Sequence, residues 1–428
     1  MNAPAISIDA LRSAVAEFPH DSLMPARLDA LEHMDRCGLP TPLNEAWKYT
    51  DLEAIVGISN RWLAGGAPNA TAIGHQEAIA RICANVEAHW LVVANGIIDE
   101  DLLASAKVSG IAVTRLSERD SVLSFDAPLA DLNTALLRDG LHIGISATTI
   151  LDKPVGILIV DDATTGVSVS QSRIEIELEA NSKAEFIEYH ASFGDADHYA
   201  NTVIGLNLGV GASANFVRIQ NRNLNHSQTA WLAVRHDHGS RFDYCGFDLG
   251  GRLIRNDLHI DIHGRDASAA FHGLYLAGDG QHIDNHTRSD HHVGPAASEQ
   301  EYRGILSGNC RCVWNGKAIV HAGADGTDAQ QANHNLLLSE NSEIDTKPEL
   351  EIYADEVKCS HGTTVGQLDE KALFYLRSRG LNKKYAKQIL TRAFAGSIVN
   401  KSPITTLRQH LAEMVEKRLG ELTDSELL

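Results

Sequence analysis

The segment with the clearest chemical potential contains a cysteine and a histidine two residues apart, Cys359 and His361. Residues at this spacing share one face of a β-strand, so a thiolate and an imidazole would stand side by side. Both groups are ligands for iron and for iron–sulfur clusters. Lys358 is expected to favour the thiolate form of Cys359, and Gly362 is expected to let the chain turn out of the strand. Two ligands do not complete a cluster site, and a structural role at a domain junction fits the spacing equally well.

A second candidate is a strand-like segment in which carboxylates and imidazoles alternate with apolar residues. Its polar members, which would share one face, are Asp257, His259, Asp261 and His263. Such side chains could hold zinc or iron, but adjacent ligands on one strand stand about 6.6 Å apart along the backbone. A solvent-facing side of a strand whose apolar residues point inward explains the pattern more simply.

The remaining histidine and cysteine candidates are weaker. His286, His291 and His292 are expected to be loop histidines first and metal ligands second, because no fixed spacing or supporting partner accompanies them. Cys310 and Cys312 would lie on one strand face, but two sulfur atoms do not close a metal site. We interpret both as ordinary strand cysteines of a reduced protein.

Composition narrows the classes of function. The chain has 428 residues, of which 43% are hydrophobic and 22% charged, so a wholly disordered chain is excluded. A net charge of −19 argues against nucleic-acid or anionic-membrane partners. No phosphate-binding loop of the GxxxxGK[ST] type is present, so the chain is not expected to hydrolyse ATP. The absence of a secretory signal, of a membrane-spanning apolar run and of a disulfide framework predicts a cytoplasmic protein.

Three regions are expected to position these residues. Residues 1–150 are predicted to be mostly helical, with a short strand at Trp90–Ala94 followed by an Asn95-Gly96 turn. Residues 151–365 alternate between polar and apolar side chains with period two, which is typical of β-strands. Residues 366–428 return to helical periodicity.

A weak repeat runs through the central region, in which a serine is followed two to four residues later by an aromatic residue. The serines are Ser182, Ser213, Ser240, Ser268 and Ser298, and the aromatic residues are Phe186, Phe216, Phe242, Phe271 and Tyr302. The serines are 27 to 31 residues apart. This period predicts a β-helix with the aromatic rings stacked inside. A β-sandwich of many short strands is the alternative, because the period is imperfect.

The C-terminal helices carry apolar stripes, and the last of these includes Leu407, Leu411 and Val415. We expect these helices to pack on the protein's own core as a cap on the end of the solenoid. A partner-binding face around residues 385–415 is the other interpretation.

Several long motifs resemble those of the SufB/SufD family of iron–sulfur cluster assembly proteins. They are KCSHG at 358–362, LFYLRSRG at 373–380, TKPELEIYADEV at 346–357, NEAWKYTDL at 44–52 and DAQQANHNLLLSENSEIDTKP at 328–348. The resemblance covers nearly the whole chain. A KCSHG segment without an N-terminal cysteine cluster is typical of the SufD branch of that family.

The resemblance implies a mainly β protein, with a right-handed parallel β-helix flanked by helical N-terminal and C-terminal domains. It also implies a non-ATPase subunit, not an enzyme, that joins SufB and the ATPase SufC and helps to build a transient iron–sulfur cluster at the SufB interface. By the same resemblance, His361 and Cys359 face that cluster, and the C-terminal helices dock SufC. A reduced flavin in the complex and a homodimer in the absence of SufB are further implications. A SufB-type scaffold and a polysaccharide-acting β-helix enzyme are the alternatives.

Overall fold

The chain forms a parallel β-solenoid whose successive strands alternate between two sheets. The computed structural model describes residues 5–66, 75–98, 109–125 and 127–424. The strands are β1 (His89–Ala94), β2 (Ile97–Ile98), β3 (Ile111–Arg115), β4 (Leu141–Ile145), β5 (Val155–Asp162), β6 (Ser168–Leu178), β7 (Lys183–Phe193), β8 (His198–Leu208), β9 (Ser213–Asn221), β10 (Ser227–His236), β11 (Arg241–Asp248), β12 (Leu253–Ile262), β13 (Ser268–Ala277), β14 (His282–His291), β15 (Ala297–Leu306), β16 (Arg311–Val320), β17 (Asp328–Leu337), β18 (Glu343–Ile352) and β19 (Lys358–Gly366).

Each sheet grows by one strand per coil. The odd-numbered strands from β5 to β19 form a ten-stranded sheet with β1 and β2, and the even-numbered strands from β4 to β18 form a nine-stranded sheet with β3. From β6 to β17 every strand pairs in parallel with the strands two before and two after it, as in the match of Phe186 with Phe216. The predicted parallel β-helix is confirmed. The β-sandwich alternative is wrong, because a sandwich of hairpins would pair its strands antiparallel.

Helices flank the solenoid on both sides. They are α1 (Ile8–Ala16), α2 (Met24–Cys37), α3 (Glu53–Ala64), α4 (Gln76–Asn85), α5 (Pro128–Ala135), α6 (Glu370–Ser378), α7 (Lys383–Val399) and α8 (Arg408–Asp424). Among the described residues no helix is both long enough and apolar enough to span a bilayer.

The aromatic repeat fills the solenoid interior as predicted. The side chains of Phe186, Phe216, Phe242 and Phe271 are fully buried, and Tyr302 is 3% exposed. The rings of Phe186 and Phe216 lie 6.0 Å apart, centre to centre, and those of Phe216 and Phe242 lie 6.3 Å apart. The repeat therefore marks the interior side of each coil.

The register of these rings is less regular than the repeat suggests. Strand pairing places Tyr244, not Phe242, opposite both Phe216 and Phe271. Tyr302 lies opposite Gly273, one interior position farther along the strand. The distance from serine to aromatic residue varies from two to four, so the rings enter the interior at different positions along their strands.

The serines of the repeat belong to the turns that join the sheets. Ser182 and Ser240 each donate a side-chain hydrogen bond to a carbonyl three residues earlier, at 2.6 and 2.8 Å. The residue before each of these serines has a positive φ, 59° at Asn181 and 65° at Gly239, which asparagine and glycine adopt most readily. The repeat is thus a turn signature that sets the start of each interior strand.

The C-terminal helices do not cap the solenoid, contrary to the expectation from their stripes. Ile398 on α7 and Leu411 on α8 are buried against Phe247 and Leu274 on the outer face of the ten-stranded sheet. That face is itself apolar in the middle coils, so it needs a cover, and the helical stripes supply one. The helices lie along the side of the solenoid.

The β structure begins within the region predicted to be mostly helical, at the strand that the sequence indicated there. Strand β1 starts at His89, close to the predicted Trp90, and pairs in parallel with β5. The predicted turn follows it, with positive φ at Asn95 and Gly96, and leads into β2. The two sheets therefore extend upstream of residue 151.

Truncation of one interior ring should destabilise the whole solenoid. Phe216→Ala should lower the free energy of unfolding by about 3–5 kcal/mol, because it removes a fully buried ring and leaves a cavity. Urea denaturation followed by circular dichroism measures the change. The matched control is Phe374→Ala, whose ring is 72% exposed and whose loss should change stability by less than about 0.5 kcal/mol. Equal stability of the two variants would contradict the packing of the aromatic rings inside the solenoid.

Candidate functional site at the terminal coil

Within the described residues, no further coil stacks on the last coil of the solenoid. Among the described strands, β19 pairs only with β17 and β18 only with β16, so both are edge strands at the same end. Side chains that would be buried in an inner coil are therefore open, including Val365 at 49% and Ile352 at 42% exposure. Edge strands also present unpaired backbone N–H and C=O groups. This end is consequently a surface on which another strand pair could continue the two sheets.

Cys359 and His361 lie on this open end and share a face, as their spacing predicts. Cys359 lies opposite the buried Ala329, and His361 lies opposite Gln331. Their side chains therefore continue the interior positions of the preceding coil. Strand pairing from β5 to β19 aligns one residue of each coil in a column of eight, which includes Phe186 and ends at His361. Phe186 is buried between neighbouring coils, whereas His361 is exposed because no described coil covers it.

Two expectations about this segment are wrong. Burial raises the pKa of Cys359, and the Asp328 carboxylate raises it further, so the side chain is held as a thiol. Lys358 does not activate it, because adjacent strand residues point to opposite faces. Gly362 does not start a turn either; it lies within β19 opposite Ala332, and the strand continues to Gly366.

A polar cluster lies directly beneath the open coil. The Asn333 amide donates to the hydroxyl of Tyr275 at 3.1 Å and to the carbonyl of Tyr302 at 3.1 Å. Its amide oxygen accepts from Thr346 on β18 at 2.8 Å and from Asn335 at 2.6 Å. These bonds join the two sheets across the interior. Sequence reasoning missed this cluster, although the spacing of Gln331, Asn333 and Asn335 on one strand face was a visible signal.

Charged groups lie deeper in the interior. Arg218 donates to the carboxylate of Glu188 at 2.7 Å, and His190 contacts the same carboxylate at 2.7 Å, with all three side chains buried. Burial raises the pKa of Glu188, but the charges of Arg218 and His190 outweigh burial and lower it to about 2. The neighbouring Asp248 has a raised pKa because burial dominates there. The interior is therefore polar as well as aromatic.

The four alternating residues, three on β12 and His263 directly after it, do not come together as one set of metal ligands. Leu258, Ile260 and Ile262 point inward and are buried, so the apolar side of this strand lies as the simpler interpretation predicts. On the outer face, Asp257 is paired with Arg255 at 2.8 Å. The imidazole of His259 packs on Trp231 with ring centres 4.1 Å apart. This part of the face is half covered rather than fully solvent-facing; Asp261 and His263 lie farther along it.

The other candidates take structural positions. His286 lies within β14, 3.1 Å from the carboxylate of Asp284. His291, at the end of the same strand, is buried and hydrogen-bonded to Ser298 at 2.9 Å. The expectation of loop positions is wrong for both, because the alternation of polar residues continues through this strand. His292 follows the strand directly.

The two neighbouring cysteines are structural, as expected. Cys312 is fully buried beside Trp314, and Cys310 is 4% exposed just before β16. Burial raises the pKa of Cys312 well above its usual range, so it is a thiol in the core. Neither side chain is available to a ligand on the surface.

The N-terminal motif at 44–52 braces the end of the nine-stranded sheet. Trp47 packs under the guanidinium of Arg255 at 4.3 Å, and Thr50 donates to the carboxylate of Asp284 at 2.5 Å. Glu45 pairs with Lys347 on β18 at 2.6 Å. The motif therefore contacts strands β12, β14 and β18, so it links inner coils to the terminal coil.

Comparisons with known proteins place these features in a family. The family model described as "SUF system FeS cluster assembly, SufBD core domain" matches residues 159–394. The iron–sulfur cluster assembly protein SufD of Escherichia coli is 30% identical over 402 residues, covering 92% of this chain and 93% of that protein. A SufBD family protein of Synechocystis is 29% identical, with 92% and 91% coverage, and SufD of Bacillus subtilis is 24% identical, with 76% and 74% coverage.

The reactivity of Cys359 should follow its raised pKa. Alkylation by iodoacetamide, followed residue by residue with mass spectrometry from pH 7 to pH 10.5, should show a midpoint for Cys359 above the ordinary value of a cysteine thiol. Asp328→Asn should move this midpoint to lower pH, because it removes a negative charge that opposes the thiolate. Lys358→Ala is the control and should leave the midpoint unchanged. A midpoint that rises in the Lys358 variant would restore the idea of a lysine-activated thiolate.

Proposed function

The chain belongs to the SufBD family of iron–sulfur cluster assembly proteins, and we propose that it acts there as the non-ATPase subunit whose open terminal coil pairs with a SufB-type partner. It is a SufD-like assembly protein by similarity over nearly its full length. A nascent iron–sulfur cluster is the cargo of the proposed site. Family membership leaves no support for the polysaccharide-enzyme alternative.

The observation that carries the proposal is the open end of the solenoid. A solenoid coil buries its interior side chains only against neighbouring coils, so a terminal coil without a cap exposes apolar surface. Here Ile352 and Val365 are exposed on the interior side, and neither edge strand has a second neighbour in the part of the chain that the structure describes. A partner with the same solenoid architecture would continue both sheets and bury these residues. In the absence of that partner, the same edges would pair two copies of this chain.

The chemistry of the open coil suits a minor contribution to a shared cluster. The exposed imidazole of His361 can supply one ligand to iron or relay a proton while sulfide is incorporated. Cys359 is half-buried with a raised pKa, so it is a poorer ligand than a free thiolate. The thiolates that a cluster needs must then come mainly from the partner. The association with a reduced flavin stays a prediction.

The helical end of the chain supports docking of a SufC-type ATPase. Most of the C-terminal apolar stripe packs within the chain itself, because Leu407, Leu411 and Val415 are buried against the ten-stranded sheet. Tyr385 and Ile389 on α7 remain 59% and 44% exposed. Residues 371–392 hold seven basic and no acidic residues, in a chain whose net charge is −19. An apolar patch within this basic segment suits a partner with an acidic rim.

Replacement of His361 should separate assembly chemistry from folding. His361→Ala should leave the three-protein complex intact but lower its iron and sulfide content and its ability to complement a strain lacking SufD under iron limitation. Cys359→Ala should have a milder effect, because its side chain is half-buried and held as a thiol. The control is His334→Ala on the outer face of the neighbouring strand β17. Wild-type growth and cluster content in the His361 variant would remove this residue from the assembly site.

Charge placed on the exposed patch of α7 should prevent docking of the ATPase. The double variant Tyr385→Asp, Ile389→Asp should lose co-purification with SufC while its circular dichroism spectrum and melting temperature stay within error of the unmodified chain. Leu43→Asp, at a side chain 97% exposed and remote in sequence, is the matched control and should retain SufC. SufC bound equally by both variants would exclude this face.

A further inference from the structure

Three histidines occur at the same position on three successive coils. His263, His292 and His321 are each 29 residues apart, and each directly follows a strand of the nine-stranded sheet. Strand pairing matches Ile262 with His291 and His291 with Val320, which brings the three following residues into one column. Their rings stack with centres 4.3 and 4.5 Å apart and with planes inclined by only 7° and 8°. The outer side of the solenoid thus carries a column of imidazoles, which we call the histidine ladder.

Two carboxylates accompany the histidine ladder. Asp261 and Asp290 precede His263 and His292 by two residues and therefore lie on the same outward face. An oxygen of Asp261 lies 3.4 Å from Nε2 of His292, and an oxygen of Asp290 lies 3.1 Å from Nε2 of His321. Two overlapping sets result, each with two imidazoles and one carboxylate whose ligand atoms lie within 4.8 Å of one another.

The two sets differ in the hydrogen bonds that their carboxylates already accept. Asp290 has a side chain only 6% exposed, and both of its oxygens accept from Arg288, at 2.5 and 2.9 Å. Asp261 is 44% exposed and meets His292 at a longer distance. A cation at Asp290 would have to compete with a guanidinium that forms two hydrogen bonds, whereas a cation at Asp261 would not.

We propose that Asp261, His263 and His292 bind one divalent first-row transition-metal ion on the outer side of the solenoid. Two imidazoles with one carboxylate form the facial ligand set that suits ferrous iron and also accepts zinc or cobalt, and it leaves coordination positions open to water or an incoming ligand. The site lies on the nine-stranded sheet, whereas Cys359 and His361 lie on the ten-stranded sheet. The inference does not depend on the proposed function.

The side chains must both turn and approach to bind an ion, because the planes of His263 and His292 are inclined by only 7° and the nitrogen lone pairs of parallel rings do not converge. Metal–nitrogen bonds of 2.0–2.1 Å in a tetrahedral site place neighbouring ligand atoms about 3.3 Å apart. The ligand atoms of this set lie within 4.8 Å, so they must approach by roughly 1 Å or more. His263 is exposed and the side chains of His292 and Asp261 are 33% and 44% exposed, so rotation of these side chains can supply the movement without repacking the core.

Calorimetric titration of the tag-free, chelator-treated full chain with Zn²⁺ at pH 7.5 tests the proposal, with Co²⁺ absorption as a second probe. The unmodified chain should bind one equivalent at the histidine ladder. His292→Gln and Asp261→Asn should each weaken binding at least tenfold and abolish the visible bands of the Co²⁺ complex. His321→Gln should change the affinity less than threefold, because its carboxylate partner is held by Arg288. His20→Gln, at an exposed histidine between α1 and α2, is the control for adventitious binding and should leave the affinity unchanged.

Two results would overturn the inference. Zn²⁺ bound equally well by the unmodified chain and by the His292→Gln variant would show that the histidine ladder holds no ion. A loss in His321→Gln as large as that in Asp261→Asn would place the ion outside the proposed ligand set. Thermal melts of all the variants must coincide with that of the unmodified chain, so that a loss of binding is not a loss of fold.

Discussion

The rest of this structure depends on the in-register parallel pairing of each coil with the next. Backbone hydrogen bonds along two sheets fix that register, so a given position on one coil stacks on the same position of its neighbours. Like side chains therefore stack in columns. The rings of Phe186 and Phe216 stack in the interior, and the imidazoles of His263 and His292 stack on the outer side. Each residue is therefore stabilised by residues about one coil away in sequence, and stability is shared between neighbouring coils.

The same constraint creates the open end. An inner coil has two neighbours, but the coil of β18 and β19 has one, and the C-terminal helices that could have covered it are used on the apolar side of the ten-stranded sheet. The polar cluster around Asn333 ties the last coil to the coil beneath through Thr346, and Glu45 holds β18 from outside through Lys347. The end is thus held in place although its interior side is uncovered. This combination suits a surface that is completed by another chain.

Much of this could be read from the sequence. The serine-to-aromatic period predicted the solenoid, because the turn serines and the interior rings recur once per coil, and the two-residue spacing of Cys359 and His361 placed them on one face. The periodicity of the sequence does not show which side of a coil is covered by other parts of the chain. The position of the C-terminal helices and the raised pKa of Cys359 both depend on that cover. The histidine ladder was visible as a 29-residue spacing, but the spacing acquires meaning only when the coil length is known.

The central claim is that the open terminal coil is an unfinished edge that a SufB-type partner completes. Hydrogen–deuterium exchange of strand β19, Lys358–Gly366, measured with and without the purified partner, tests it most directly. In the isolated chain, β19 amides should exchange faster than those of β17, because one side of β19 has no strand neighbour. Binding of the partner should slow exchange in β19 and β18 while leaving the inner coils unchanged. A stable complex in which exchange of β19 remains as fast as in the isolated chain would contradict the account.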